Sequence, residues 1–223
     1  MIDLAPVWLS LKLATVTTLI LLLVATPLAW WLVHHRSRWA AVVEAIVALP
    51  LVLPPTVLGF YFLLMLGANG LLGAPWQALT GSTLNFTFSG LVIASVFYSL
   101  PFVVQPLQNA FHALGRKPLE VAWCLRASPL DTFFNVVLPL SARGYITAAV
   151  LGFTHTLGEF GVVLMVGGSI PGETRVLSIA IYEQVEVLDY TTAHILSAGL
   201  LAFTFVVLLL VYLLNRKLPA HER

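Results

Sequence analysis

Residues 112–139 read HALGRKPLEVAWCLRASPLDTFFNVVLP and form a charged stretch between long apolar segments. Pro118 suits the start of a helix, where its missing N–H needs no intrahelical partner. Glu120 then lies in the first turn, where the helix dipole favours a carboxylate. Ser128 is a typical N-cap residue, and Pro129 follows it at the first position of a second helix. The stretch is therefore expected to form two short helices joined by a turn.

Each of the two expected helices carries apolar residues at helical spacing. These are Leu119, Ala122 and Trp123 on the first helix, and Leu130, Phe133, Phe134 and Val137 on the second. An apolar face outside a membrane needs a surface to cover it. The pattern leaves two alternatives open: the faces pack on the ends of the protein's own helices, or they dock into a separate partner. Leu138 and Pro139 are expected to end the second helix or to turn it into the next segment.

The composition predicts an integral membrane protein. The 223 residues are 59% hydrophobic and only 9% charged, whereas a soluble domain carries about 25% charged residues. The single cysteine, Cys124, excludes an intrachain disulfide. The histidines are scattered without the spacing of a metal site, and no phosphate-binding loop or dinucleotide motif is present. The chain itself is therefore expected to bind no metal, cofactor or nucleic acid.

Five segments are long enough to cross a bilayer, which takes about 20 apolar residues; they are 7–33, 40–66, 86–111, 144–166 and 190–214. Nine of the eleven Lys and Arg residues lie between segments one and two, between three and four, or after five. Only Lys12 and Arg175 lie on the other side, and basic residues mark the cytoplasmic side. The predicted fold class is an all-α membrane protein, one domain over residues 1–223, with five transmembrane helices. Its N-terminus is expected outside and its C-terminus in the cytoplasm.

Prolines interrupt the second segment, which reads LPLVLPPTVLGF over residues 49–60. A proline inside a membrane helix removes a backbone hydrogen bond and kinks the helix. Kinked helices leave gaps that can line a path, which makes Pro54, Pro55 and Thr56 pore or gate candidates. Irregular packing without any such role is the alternative.

The fourth segment holds one deep acid, Glu159, with His155 four residues earlier on the same face of a helix. A carboxylate that faces lipid is costly, so Glu159 is expected to face protein or water. It is either a hydrogen-bonding anchor between helices or, together with His155, part of a gate or a proton-sensitive switch.

Residues 112–139 resemble the EAA signature of ABC importer permeases, in which a Glu-Ala-Ala triplet precedes a Gly and, further on, a Leu-Pro pair. The triplet here is Glu120-Val121-Ala122, and Leu138-Pro139 stands at the family's spacing. Arg126 occupies the Gly position, so the first helix is expected to end differently from the family's. Residues 49–60 and 156–175 are similar to two further motifs of the molybdate and tungstate branch of this family, and the resemblance covers nearly the whole chain.

The resemblance implies a MetI-like, type I importer permease in the bacterial inner membrane. Two copies of the chain would form the pore in the lipid, two ATPase subunits carrying ATP and Mg²⁺ would bind below, and an external molybdate-binding protein would deliver the oxyanion. It assigns residues 112–139 to a cytoplasmic coupling loop. Within that loop, the residues assigned to ATPase coupling are Glu120, Val121, Ala122, Arg126, Ala127, Ser128 and Pro129.

Two rival functions remain open. A tungstate or sulfate permease would share the fold and differ in the oxyanion. An ion-coupled secondary transporter would need a coupling-ion site, for which Glu159 with His155 is the candidate, but the chain lacks recognisable inverted repeats. An enzyme is not expected, because no cluster of catalytic groups is apparent and ATP hydrolysis is placed on a partner subunit.

Overall fold

The computed structural model describes residues 3–35 and 37–217, with side chains as far as 213. Over these residues every regular element is a helix. The helices are α1 (Ala5–His34), α2 (Arg38–Val52), α3 (Pro55–Leu66), α4 (Gly73–Thr80), α5 (Phe88–Leu114), α6 (Lys117–Cys124), α7 (Pro129–Leu140), α8 (Ala142–Gly158), α9 (Gly161–Gly167), α10 (Leu177–Glu186) and α11 (Tyr190–Lys217). The prediction of an all-α protein is confirmed.

Three of the helices, α1, α5 and α11, are long and apolar enough to cross a membrane unaided. They match the first, third and fifth predicted segments. The other two segments are not single straight helices: the second is divided into α2 and α3, and the fourth into α8 and α9. Two pairs of helices, α2 with α3 and α7 with α8, are sharply bent at a short break. The described residues therefore hold three candidate spans, or up to five if each bent pair counts as one span.

The second predicted segment breaks between Val52 and Pro55, and the axes of α2 and α3 differ by 117°. Leu53 takes an extended conformation with ψ 140°, as expected of a residue that precedes a proline. Pro54 and Pro55 supply no N–H to continue the hydrogen bonds of α2. The helix is thus interrupted and not only kinked. The prediction of one continuous helix over residues 40–66 is wrong.

The fourth predicted segment is also interrupted, at Glu159 and Phe160 between α8 and α9. Glu159 is extended, with φ −72° and ψ 140°. The expectation that Glu159 and His155 share one face of a continuous helix is therefore wrong. The segment holds no proline at this point, and glycines flank the break on either side, at Gly158 and Gly161. Glycine weakens a helix without dictating where it ends, so no clear signal in the sequence predicts the break.

Helices α1, α5 and α8 form the centre of the molecule, with a core that includes Leu21 and Val103. Glycine allows α8 to approach α5 closely. A Cβ atom at Gly144 would lie 2.3 Å from Cβ of Ala110, and one at Gly152 would lie 2.6 Å from Cγ2 of Val103. The apolar side chains of α11, in contrast, are largely exposed, as suits a helix that faces lipid.

The charge pattern used to predict the topology includes residues on which the structure gives no information. Arg36 and Arg223 lie outside the described residues, as do the side chains of Arg216 and Lys217. The remaining basic residues of the majority side include Arg38 at the start of α2 and Arg126 after α6.

Candidate functional site

The charged stretch forms two short helices, α6 and α7, joined by a turn, as predicted. We call residues 112–139 the coupling segment. Its first residues, from His112, belong to the last turn of α5, and α6 begins at Lys117, one residue before the expected start at Pro118. Helix α7 ends at Leu140, one residue after Leu138-Pro139, where the helix was expected to end or to turn into the next segment, and it includes a π-helical turn over Phe133–Val137. It then meets α8 at an angle of 74°.

Arg126 ends α6 in the way a glycine would, and the expectation of a different ending is wrong. Its φ is +60°, in the left-handed region that most residues avoid. The Arg126 N–H donates to the Trp123 carbonyl (2.9 Å) and the Ala127 N–H to the Ala122 carbonyl (3.0 Å). These two bonds make a Schellman motif. They satisfy carbonyls at the helix end and offset the cost of about 1–2 kcal/mol for a left-handed residue with a Cβ.

Ser128 caps α7, as predicted. Its Oγ accepts a hydrogen bond from the Asp131 N–H at 3.2 Å, and Pro129 occupies the first helical position. The Asn135 side chain donates to the Asp131 carboxylate at 2.5 Å. The turn between α6 and α7 is therefore fixed at both sides, and the coupling segment is a defined structural unit.

The apolar residues of the coupling segment divide into two groups. Leu119 and Val137 are buried in the core beside Phe111, and Ala122 is buried as well. A second group is exposed, and we call it the coupling patch: Val121 (61% exposed), Trp123 (60%), Leu125 (78%), Leu130 (72%) and Phe134 (58%). Trp123 was expected to share the face of Leu119 and Ala122; it lines a cavity together with Leu119 and Val137, and much of its ring is nevertheless exposed. Part of the segment therefore packs on the protein's own helices, and the docking of the exposed residues into a partner stays a prediction.

The predicted pore candidates lie at the two helix breaks, and the structure brings the breaks together. Pro54, Pro55 and Thr56 are exposed at the first break. Pro55 contacts the second break, since a Cβ atom at Gly161 would lie 2.6 Å from Cβ of Pro55. Helix α3 then packs along α9. The interruption of two segments at one place is unusual in a bilayer, where free backbone groups need partners.

Glu159 is buried at the second break, with 6% of its surface exposed. The Ser95 hydroxyl donates to its Oε2 (3.5 Å), and the Ser178 hydroxyl donates to its backbone carbonyl (2.5 Å). The carboxylate also interacts with the backbone N–H groups of Val162 and Val163 in the first turn of α9. By distance and angle its Oε1 has no hydrogen-bond partner among the described residues. Glu159 thus joins α5 and α10 through hydrogen bonds and lies beside the N-terminus of α9.

His155 binds the same helix α5 one turn further along. Its Nδ1 lies 2.8 Å from the Ser99 hydroxyl, and its ring stacks on Phe102 with 3.7 Å between the centroids. The Ser99 hydroxyl also contacts that of Thr156 at 3.0 Å. Within the described part of the chain, no hydrogen bond joins His155 to Glu159, and each contacts a different serine of α5.

The sequence reasoning found His155 and Glu159 but missed their serine partners. Ser95 and Ser99 stand four residues apart in the mainly apolar stretch 90–104, and hydroxyls at that spacing share one helix face. That spacing is a signal for an interhelical contact in a membrane. Ser178 lies 19 residues from Glu159 in a separate helix, and the sequence carries no comparable signal for it.

The helical bundle, the broken segments and the exposed coupling patch together define a membrane transport subunit of the kind that works with separate partner proteins. Comparisons with known proteins agree. The family model for binding-protein-dependent transport system inner membrane components matches residues 14–219. The chain belongs to this family, and it is accordingly a transport component of the inner membrane rather than an enzyme.

Individual relatives show which members of this family the chain is most usefully compared with. The chain is 60% identical to the molybdenum transport system permease protein ModB of Azotobacter vinelandii over 94% of its own length and 93% of that protein. It is 34% identical to a probable sulfate transport system permease protein, cysT, of Zygnema circumcarinatum, over 82% of this chain and 64% of that one. Among solved structures, it resembles an inward-facing MetNI methionine ABC transporter with a TM-score of 0.73 and 16% identity, over 96% and 95% of the two chains. This last likeness supports the MetI-like fold.

The left-handed turn at Arg126 predicts opposite effects for two substitutions. Arg126→Gly should leave the protein at least as stable, because glycine adopts this conformation without a Cβ clash. Arg126→Val should be less stable than the glycine variant by at least about 1–2 kcal/mol, because valine has a Cβ and a branched Cβ is least tolerated at positive φ. Thermal unfolding of the purified variants measures both. Equal stability of the glycine and valine variants would contradict the assigned turn.

Proposed function

We propose that this chain is the pore subunit of an ATP-driven importer of molybdate. The observation that carries the proposal is the exposed apolar coupling patch, held on a rigid two-helix segment at the position of the EAA signature. A patch of this kind on a membrane subunit suits the docking of a soluble partner. The 60% identity to a molybdenum transport permease supports molybdate as the cargo.

The proposed arrangement has one domain over residues 1–223 and five spans, with each bent pair counted as one. The bias of Lys and Arg places the N-terminus outside and the C-terminus, with the coupling segment, in the cytoplasm. Two copies of the chain surround the pore. Two ATPase subunits bind the coupling segments and carry ATP and Mg²⁺, and a binding protein delivers the oxyanion from outside.

The connectivity suggests how movement of the ATPases reaches the pore. The coupling segment lies between α5 and α8 in the chain, joined to α5 at Gly115 and to α8 at Ser141. Because α5 and α8 pack closely through Gly144 and Gly152, a displacement of the segment moves both helices as a unit. The nearest place where the backbone can change direction is the break at Glu159. We infer that this break and its neighbour at Pro54–Pro55 form the gate, and that alternating access follows from their movement.

The proposed function is tested by uptake into proteoliposomes that contain the permease, its ATPase and external binding protein. Molybdate should accumulate when ATP is enclosed with the ATPase, and a protonophore should leave the rate unchanged. Excess sulfate should reduce molybdate uptake only slightly. Uptake that requires a proton gradient instead of ATP would indicate a secondary transporter, and strong competition by sulfate would favour the sulfate permease, which the 34% identity to a sulfate relative makes the second candidate.

A negative charge introduced into the coupling patch should weaken the binding of the ATPase to the permease. Trp123→Glu and Leu130→Glu each place a carboxylate on a surface that becomes buried on docking, which costs several kcal/mol without a partner charge. ATPase recovered with the tagged permease should fall at least about tenfold. Leu71→Glu is the control, since Leu71 is 81% exposed in the loop between α3 and α4. If the amount of recovered ATPase is unchanged with both patch variants, the coupling patch is not the surface that binds the ATPase.

Glu159→Gln should slow transport without unfolding the protein. Glutamine keeps the size of the side chain, but its NH₂ group is a donor where the native side chain offers an acceptor beside the N–H groups of α9, and a buried polar group left unsatisfied costs about 1–3 kcal/mol. We expect ATP-driven uptake to fall about tenfold or more, with normal assembly with the ATPase. The matched control is Glu173→Gln at an exposed position in the loop before α10. Native uptake by the Glu159→Gln protein would exclude a gating role.

A further inference from the structure

A cavity of about 850 Å³ lies between α5 and α8, next to the coupling segment. Pro118 of α6 and Pro139 of α7 line its edge. Its polar lining comes from Gln105 and Asn109 on α5, and from Ser141, Arg143 and Thr147 in the first turns of α8. These side chains include hydroxyl, amide and guanidinium groups. Among the lining residues of the described structure there is no Asp or Glu.

Ser141 stands at the N-cap of α8 but does not cap it. The helix is 17 residues long, and the Ser141 side chain accepts no hydrogen bond from its first turn. The side chain is nonetheless buried, with 2% of the residue exposed, and its Oγ has no hydrogen-bond partner within the described structure. The first N–H groups of a helix have no intrahelical acceptors. The N-terminus of α8 therefore presents free donors, and an unpartnered hydroxyl lies beside them.

Arg143 adds a positive charge at the same place. Its Nε is buried and has no hydrogen-bond partner among the residues that the structure describes. No ion pair of Arg143 occurs there either, whereas Arg175 of the external loop is paired with Glu183 at 2.7 Å. A partly buried guanidinium without an anion is unfavourable. An anionic ligand would relieve this cost, and the guanidinium can donate two parallel hydrogen bonds to oxygens of one oxyanion.

We propose that this cavity is a low-affinity binding site for a tetrahedral oxyanion, used as the ion leaves the pore. Arg143, the Ser141 hydroxyl and the N-terminus of α8 would hold the oxyanion from one side. The amides of Asn109 and Gln105, four residues apart on one face of α5, would contact it from the other. The inference rests on the proposed function for the identity of the ion, which is molybdate or a close analogue.

The geometry also explains why the site binds weakly. A cavity of about 850 Å³ is much larger than one oxyanion, so water remains around the ion and screens its charge. One arginine and one helix end provide less positive charge than an enclosed site on a delivery protein would. Weak binding suits a position on a transport path, because tight binding would slow release. The site also adjoins the coupling segment, so movement of α6 and α7 would alter its shape.

Direct binding to the permease–ATPase complex in lipid nanodiscs tests the site. Radiolabelled molybdate is measured by equilibrium dialysis without nucleotide and without the external binding protein. The native complex should bind molybdate saturably, and Arg143→Gln should weaken the affinity about tenfold or more. Arg143→Lys keeps the positive charge, so its affinity for molybdate should fall by less. Arg38→Gln is the control, because it removes an exposed arginine outside the cavity, and its affinity should stay within about twofold of native.

The outcomes separate this site from the proposed function. If the native complex transports molybdate with ATP but shows no saturable binding, the site is wrong and the proposed function stands. If Arg38→Gln and Arg143→Gln weaken binding equally, general surface charge explains the effect and the site is also wrong. If the Arg143→Gln permease does not assemble with the ATPase, the variants Ser141→Ala and Asn109→Leu are measured instead. Molybdate binding about threefold weaker in each variant supports the site. Native affinity in both variants overturns it. Failure of ATP-driven uptake by the native complex would count against the proposed function.

Discussion

The close approach of α8 to α5 is the contact on which the rest of the account depends. It requires glycine at residues 144 and 152, because a Cβ at either position would overlap the facing helix. The coupling segment is inserted between these two helices in the chain. Under the proposed function, the segment and the helix pair move together. Without this contact, a displacement of α6 and α7 would be absorbed at their junctions and would not reach the interior of the protein.

The two interrupted segments show how a membrane protein can keep irregular backbone in its interior. Proline removes donors at the first break, and glycine permits the second. The second break is stabilised by polar groups that come from three other helices: Ser95 of α5, Ser178 of α10 and the first turn of α9. A buried carboxylate that binds so many separate elements is a structural anchor. The same position is also where a small rearrangement of hydrogen bonds would change the direction of the chain. The structural and the gating interpretation of Glu159 are thus compatible.

Much of the fold and of the coupling segment could be predicted from the sequence, because local signals determine them. The N-cap at Ser128, the proline that follows it and the apolar spacing gave two helices joined by a turn, and the long apolar runs gave α1, α5 and α11. The break at Glu159 was missed because it depends on tertiary hydrogen bonds. The ending of α6 was misjudged because the left-handed conformation of Arg126 costs only about 1–2 kcal/mol, which two backbone hydrogen bonds can offset. The division of the apolar residues into buried and exposed groups depends on how α6 and α7 lie on the ends of other helices, which periodicity does not specify.

The most direct test of the central claim uses Cys124, the single cysteine, which is exposed at the end of α6. A photoreactive group attached to its Sγ in the assembled transporter should crosslink to the ATPase subunit, and the yield should change when ATP binds and the ATPases close. Crosslinks to the external binding protein, or to lipid alone under all nucleotide conditions, would contradict the account, because the coupling segment would then not contact the ATPase.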